Sequence, residues 1–240
     1  MSGNSASHEM KPEGQETAPA FNVRFPLALR IGFWFCIVIA VAVVIRRVIA
    51  LSTPPSTSAP PQLAGLDAWF SSHAALTYVH ILCALAFVLV LPLLFWHRTR
   101  SSRTLQRAIF PLGLIVGLTA YAMSAYAVGG WLERAAVFFF NTLFLFALYR
   151  AFAFDRAADS RREQQWLLRA IAILLGIATT RPVMGVFFAT SRMTHLTPQQ
   201  FFGIAFWIGF SINTVVMELW LRTRKDRPRM ISSWSEGGFQ

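Results

Sequence analysis

"WLLRAIAILLGIATTRPVMGVFFAT", residues 166–190, is the stretch that decides the fold. Its only charged side chains are Arg169 and Arg181. As a helix rising about 1.5 Å per residue it is about 37 Å long, enough to cross the ~30 Å hydrocarbon core of a bilayer. A strand of that length would leave a row of backbone groups unpaired in lipid, so a spanning run of this kind reads as an α-helix. Outward from it, five more runs of the same character are read, at approximately 27–51, 75–96, 108–129, 135–154 and 200–222. The expectation is an all-α polytopic membrane protein, a bundle of six transmembrane helices.

Composition points the same way. Of the 240 residues, 55% are hydrophobic and 14% charged, where soluble domains carry about 25% charged residues. Mean hydropathy is +0.49. The formal net charge of +11 is read as topology rather than nucleic-acid binding, because the basic residues gather in short connections. With the N-terminus inside, fifteen Lys and Arg fall on the inner side. Four, namely Arg46, Arg47, Arg134 and Arg192, fall outside. Both termini are therefore expected in the cytoplasm, in a bacterial inner membrane. Residues 1–22 are too polar to order themselves. The domain reading is a disordered segment at 1–22, a membrane domain at 23–222 and a cytoplasmic tail at 223–240. Cys36 and Cys83 lie in apolar runs, without metal-ligand or disulfide spacing.

Small residues mark close helix contacts in lipid. Gly113 and Gly117 in the third span, and Gly176 in the fifth, place those two spans at the expected bundle centre. The fourth span, "AAVFFFNTLFLFALY", reads as bulky and lipid-facing.

Ionisable groups inside spans are costly and often functional. Arg169 and Glu218 sit at one depth, fixed by the nearby Trp166 and Arg222, and are read as a structural ion pair. Arg181 lies deep, beside Pro182, which removes a backbone donor, kinks the helix and frees the carbonyl of Ala178. Two roles follow. Arg181 clamps the carbonyls freed at its own kink, the reading the sequence favours, or it faces a pocket and holds an anion or a headgroup. His80 enters the second span in the same half as Arg181, and Asn213 adds neutral polarity. These three are the candidate ligand-binding residues. A haem would need a second axial ligand at the depth of His80. His97 and His195 are misplaced for it, which leaves Met123 or Met184. The reading without haem or metal is preferred.

Four segments carry a resemblance: "YVHILCALAFVL", "LQRAIFPLG", "EQQWLLRAIAILLGIATTR" and "FWIGFSINTVVMELW". Together, over roughly residues 65–222, they resemble the bacterial domain-of-unknown-function 2306 family of predicted integral membrane proteins. The resemblance implies that His80, Trp166, Arg169, Arg181, Asn213 and Glu218 stand at positions the family uses. It departs at Gln106 and Glu163, where the family pattern has histidines. It implies no reaction. The functional expectation is a protein that binds a lipid, quinone or small anion, or a small permease. The alternatives are a haem- or quinone-linked oxidoreductase and a structural subunit of a larger complex.

Overall fold

The computed structural model describes residues 25–52, 73–95, 103–127, 129–194 and 198–225. It consists of six α-helices: α1 Leu27–Ser52, α2 Ala74–Phe95, α3 Arg103–Ser124, α4 Gly130–Arg156, α5 Ser160–Thr194 and α6 Pro198–Lys225. Each is long and apolar enough to cross a membrane, and no strand occurs among the described residues. The expected disordered segment at 1–22, nearly all of the expected tail, and His97 and His195 lie outside the described residues. The end where α1 begins and α6 finishes is called proximal below; the opposite end is distal.

The boundaries on either side of the third connection differ from the sequence reading, and for one reason. The third span ends at Ser124 and the fourth begins at Gly130, about five residues earlier than expected. The chain turns at Gly129–Gly130, and Gly130 has φ 61°, a left-handed conformation that glycine adopts without steric cost. Glu133 and Arg134 therefore lie inside α4 rather than in a connection. The turn is fastened from both sides. Arg134 Nη2 donates to the Ala125 carbonyl at 2.8 Å, and the Gly129 N–H donates to the Glu133 carboxylate. At the proximal end, Asp159 starts α5, its Oδ1 accepting from the Arg162 N–H at 3.0 Å. That is the N-cap role for which Asp is suited.

Packing centres on α5, which lies against α1, α4 and α6. The most apolar stretch of α5 is 50% buried, against 11% for α1. Of the two spans expected at the bundle centre, the fifth is there and the third is not. Helix α3 packs against α2 and α4 and makes no contact with α5. Its glycines serve those neighbours. A Cβ on Gly113 would meet Leu148 and Phe87, and one on Gly117 would meet Leu145. Gly176 of α5 faces Phe210 of α6, and Gly209 of α6 sits on the backbone of Thr180. Nor is α4 a lipid-facing helix. Ala136, Phe140, Phe144, Ala147 and Ala151, three and four residues apart, form a buried stripe against α3, α5 and α6. Its other face, with Phe138, Phe139, Phe146 and Tyr149, is exposed. The sequence reading took the aromatic content for a surface, where only one face is.

Helix α1 is the outlier. It touches α2 and α5 alone, and Cys36 and Ile37 are its buried residues. A polar contact ties it to the centre: Cys36 Sγ lies 3.6 Å from Thr179 Oγ1. Thr179 Oγ1 in turn donates to Asn213 Oδ1 at 2.8 Å.

Candidate functional site

A cavity of about 270 Å³ lies in the distal half of the bundle, and all six helices line it. Its apolar wall reaches the middle of the bundle through residues such as Val88, Phe144, Leu174 and Phe210. Its polar lining gathers Arg47 of α1, Thr77 and His80 of α2, Glu133 and Asn141 of α4, and Arg181 of α5. His80 and Arg181, separated by a hundred residues of chain, thus face one space. An apolar chamber with a few convergent polar groups is the usual form of a small-molecule site.

The chemistry of each group follows from its bonds. His80 Nδ1 lies 2.8 Å from Thr119 Oγ1. The same hydroxyl sits 2.7 Å from the Ile115 carbonyl, to which it donates its single proton. The imidazole therefore donates through Nδ1, and in the neutral ring Nε2 is the acceptor. Asn141 Nδ2 donates to the Gly117 carbonyl at 2.9 Å, joining α4 to α3 at the cavity wall. Glu133 is tied by its Oε2 to the Gly129 N–H at the turn.

Arg181 is the least satisfied group. Its Nη1 reaches only Met184 Sδ, at 4.0 Å, a weak acceptor. Its Nε is buried with no hydrogen-bond partner. No carboxylate among the described residues lies within ion-pair distance of it, although the charges of Glu133, Arg46 and Arg47 act on it. The clamp expected from Pro182 is not made: Arg181 donates to no backbone carbonyl among the described residues. Arg134 does that work, at the turn.

Asn213, expected beside His80 and Arg181, is not among the lining residues. It holds Thr179 from the far side of α5. Met123 lines the cavity, whereas Met184 is buried against the Arg181 guanidinium. Among the described residues no three His, Cys, Asp or Glu side chains cluster as a metal site would require.

The proximal half treats its charges differently. Arg169 Nε lies 2.8 Å from Glu218 Oε2, and Arg222 Nε lies 3.2 Å from Oε1 of the same carboxylate. The Arg169 guanidinium also stacks 4.7 Å from the ring centre of Trp166, a cation–π contact.

Glu133 and Arg47 escaped the sequence reading. The signal for Glu133 was the glycine pair in "VGGWLER". Read as a turn, it starts α4 early enough to bring the carboxylate into the bundle.

A family model described as "Predicted membrane protein (DUF2306)" matches residues 77–221. The match runs from the first turn of α2 to the last turns of α6 and takes in every lining residue named above except Arg47. No curated protein and no solved structure matches the chain.

Proposed function

The chain belongs to the DUF2306 family of predicted membrane proteins, a description that names no reaction, and we propose that it binds a membrane-soluble small molecule through an acceptor-rich or anionic head. A lipid, a quinone and a small organic anion share that chemistry. The observation that carries the reading is Arg181: a half-buried side chain on the wall of a partly open cavity, its Nε buried without a partner and no carboxylate on it. A buried charge without a partner costs several kcal/mol, and a ligand acceptor in the cavity offsets that cost. His80 Nε2 and the Asn141 side chain add orientation. Because all six helices line the chamber, small relative movements of the helices open it to one side or the other, and a permease role follows from the same site.

The excess of basic residues at the proximal end supports a cytoplasmic location for both termini, which puts the cavity in the outer half of the membrane. A reporter fused after Gln240 is then active only in the cytoplasm, and one inserted between Pro54 and Pro61 only outside.

The decisive experiment is mass spectrometry of small molecules retained when the full chain is purified in mild detergent. The wild type is expected to carry a compound that Arg181→Leu loses while its melting temperature in detergent holds. A wild type that retains nothing, or a compound kept by the variant, overturns the reading.

A further inference from the structure

We propose that the cavity is built for a zwitterion: a phosphate-type anion on Arg181 and a primary ammonium on Glu133, the two borne by one ligand with an apolar tail. This rests on the reading of the cavity as a ligand site and narrows it.

Two opposite charges line the same cavity and do not pair. In a poorly polarisable interior their attraction is strong at contact, and a contact would offset much of the cost of burying both. The fold keeps them apart by anchoring each to its own element. Glu133 is held at the α3–α4 turn by the Gly129 N–H. Arg181 stands on the central helix α5 and leans on Met184, one turn further along the same helix. Neither anchor depends on the other residue, and both side chains line the cavity. A ligand of one charge sign would satisfy one pole and leave the other exposed to repulsion. A ligand with both signs satisfies both.

The chemistry of each pole assigns the groups. A guanidinium fork matches an anion with several oxygens, phosphate above all. Arg47, also on the lining, adds positive potential at that pole. A carboxylate with one oxygen committed to Gly129 has the other to accept from an ammonium. The apolar wall of Val88, Phe144, Leu174 and Phe210 suits a hydrocarbon portion, and about 270 Å³ holds a head and the start of a chain rather than a whole lipid. Phosphoethanolamine chemistry has these parts, either as the head of a membrane lipid or as a free compound.

The test uses the full chain, stripped of lipid in detergent and examined by native mass spectrometry. The probes are phosphatidylethanolamine, phosphatidylglycerol and free glycerophosphoethanolamine. The wild type is expected to hold phosphatidylethanolamine at least about tenfold more tightly than phosphatidylglycerol. Glu133→Gln should abolish that preference while still holding phosphatidylglycerol, and Glu133→Asp should keep most of it. Arg181→Gln should weaken both lipids. Competition by glycerophosphoethanolamine at equal concentration supports the zwitterion with a water-soluble source. Failure to compete, with the lipid preference intact, supports the zwitterion as a lipid head. Equal affinity for the two lipids, with a ratio unmoved by Glu133→Gln, overturns the zwitterion; if Arg181→Gln still releases both lipids, the ligand site itself stands. Retention of neither lipid, with nothing co-purifying, overturns both readings. Each variant's melting temperature is measured alongside, and Glu133→Asp guards against a fold defect in Glu133→Gln.

Discussion

The two ends of α5 use the same residue types to opposite effect. At the proximal end Arg169 meets Glu218 at 2.8 Å, Glu218 meets Arg222 at 3.2 Å, and Trp166 covers the Arg169 guanidinium. Both carboxylate oxygens are used. At the distal end Arg181 and Glu133 share a space without touching, and Arg181 Nε has no partner. Arg169 and Arg181 are twelve residues apart on one helix, so neither helix propensity nor chain neighbourhood separates them. What differs is whether a second helix delivers a carboxylate to contact. Charges that touch hold helices together. Charges kept apart on one cavity wall do not.

The comparison breaks most severely if α5 ceases to be the shared wall of both sites. Between the two arginines, Gly209 of α6 lies directly on the α5 backbone, where an added Cβ would stand 2.7 Å from Thr180 N and 2.8 Å from Thr180 Cα. Backbone cannot rotate away, so Gly209→Ala should cost about 1–3 kcal/mol and Gly209→Leu should abolish folded yield. Thermal unfolding followed by size-exclusion chromatography in detergent measures both, and an unchanged midpoint for Gly209→Leu would mean that the helices do not cross closely there.

Next comes the paired end. The Arg169 and Glu218 side chains are 18% and 34% exposed, between the surface case of about 0–1 kcal/mol and the buried case of about 3–5 kcal/mol for a broken pair. Glu218→Gln should therefore destabilise by about 1–3 kcal/mol. Arg169→Glu combined with Glu218→Arg should recover part of what either reversal loses alone; losses that simply add would show the two residues acting independently.

The unpaired end should respond with a smaller change of the opposite sign. Removing a buried charge that lacks a partner leaves no stranded counter-charge in contact, so Arg181→Leu should leave stability unchanged or raise it by about 1 kcal/mol, even as it empties the site. A loss as large as that of Glu218→Gln would place Arg181 among the structural charges. The smallest effect belongs to the neutral polar link. Thr179→Val removes the bond to Asn213 and should cost about 0.6 kcal/mol, the usual worth of such bonds between membrane helices. A cost of several kcal/mol would make that link, rather than the ion pair, the main polar tie between α5 and α6.

The spans were legible because each must satisfy its own backbone in lipid, which leaves a continuous apolar run in the sequence. Arg169 and Glu218 could be set at one depth because Trp166 and Arg222 mark the membrane surface close by. Glu133 could not, since placing the start of the fourth span at 135 made it part of a connection, and five residues decided whether a carboxylate was inside or out. Helix adjacency was equally hidden. Gly113 and Gly176 announce close contacts, but a small residue does not say which neighbour it admits, and the two turned out to serve α4 with α2, and α6, respectively. The cavity that Glu133 and Arg181 both line has no sequence signature, being a property of where six helices put their side chains.

The contact between Cys36 of α1 and Thr179 of α5 joins residues 143 positions apart, and that separation is also an interval of time. At roughly 5–20 residues per second, the ribosome finishes the α1 half of this contact on the order of 10 s before it makes the other half. Through that interval α1 sits in the bilayer without the central helix it will lean on. Its sequence is fitted to the wait: its most apolar stretch has a mean hydropathy of 2.6, and its broad exposed face, with Leu27, Ile31, Phe35, Val38, Ile45 and Ile49, is content in lipid alone. The part of the chamber that α1 lines through Ala40, Val43 and Arg47 therefore forms against α5 only after α5 has been made.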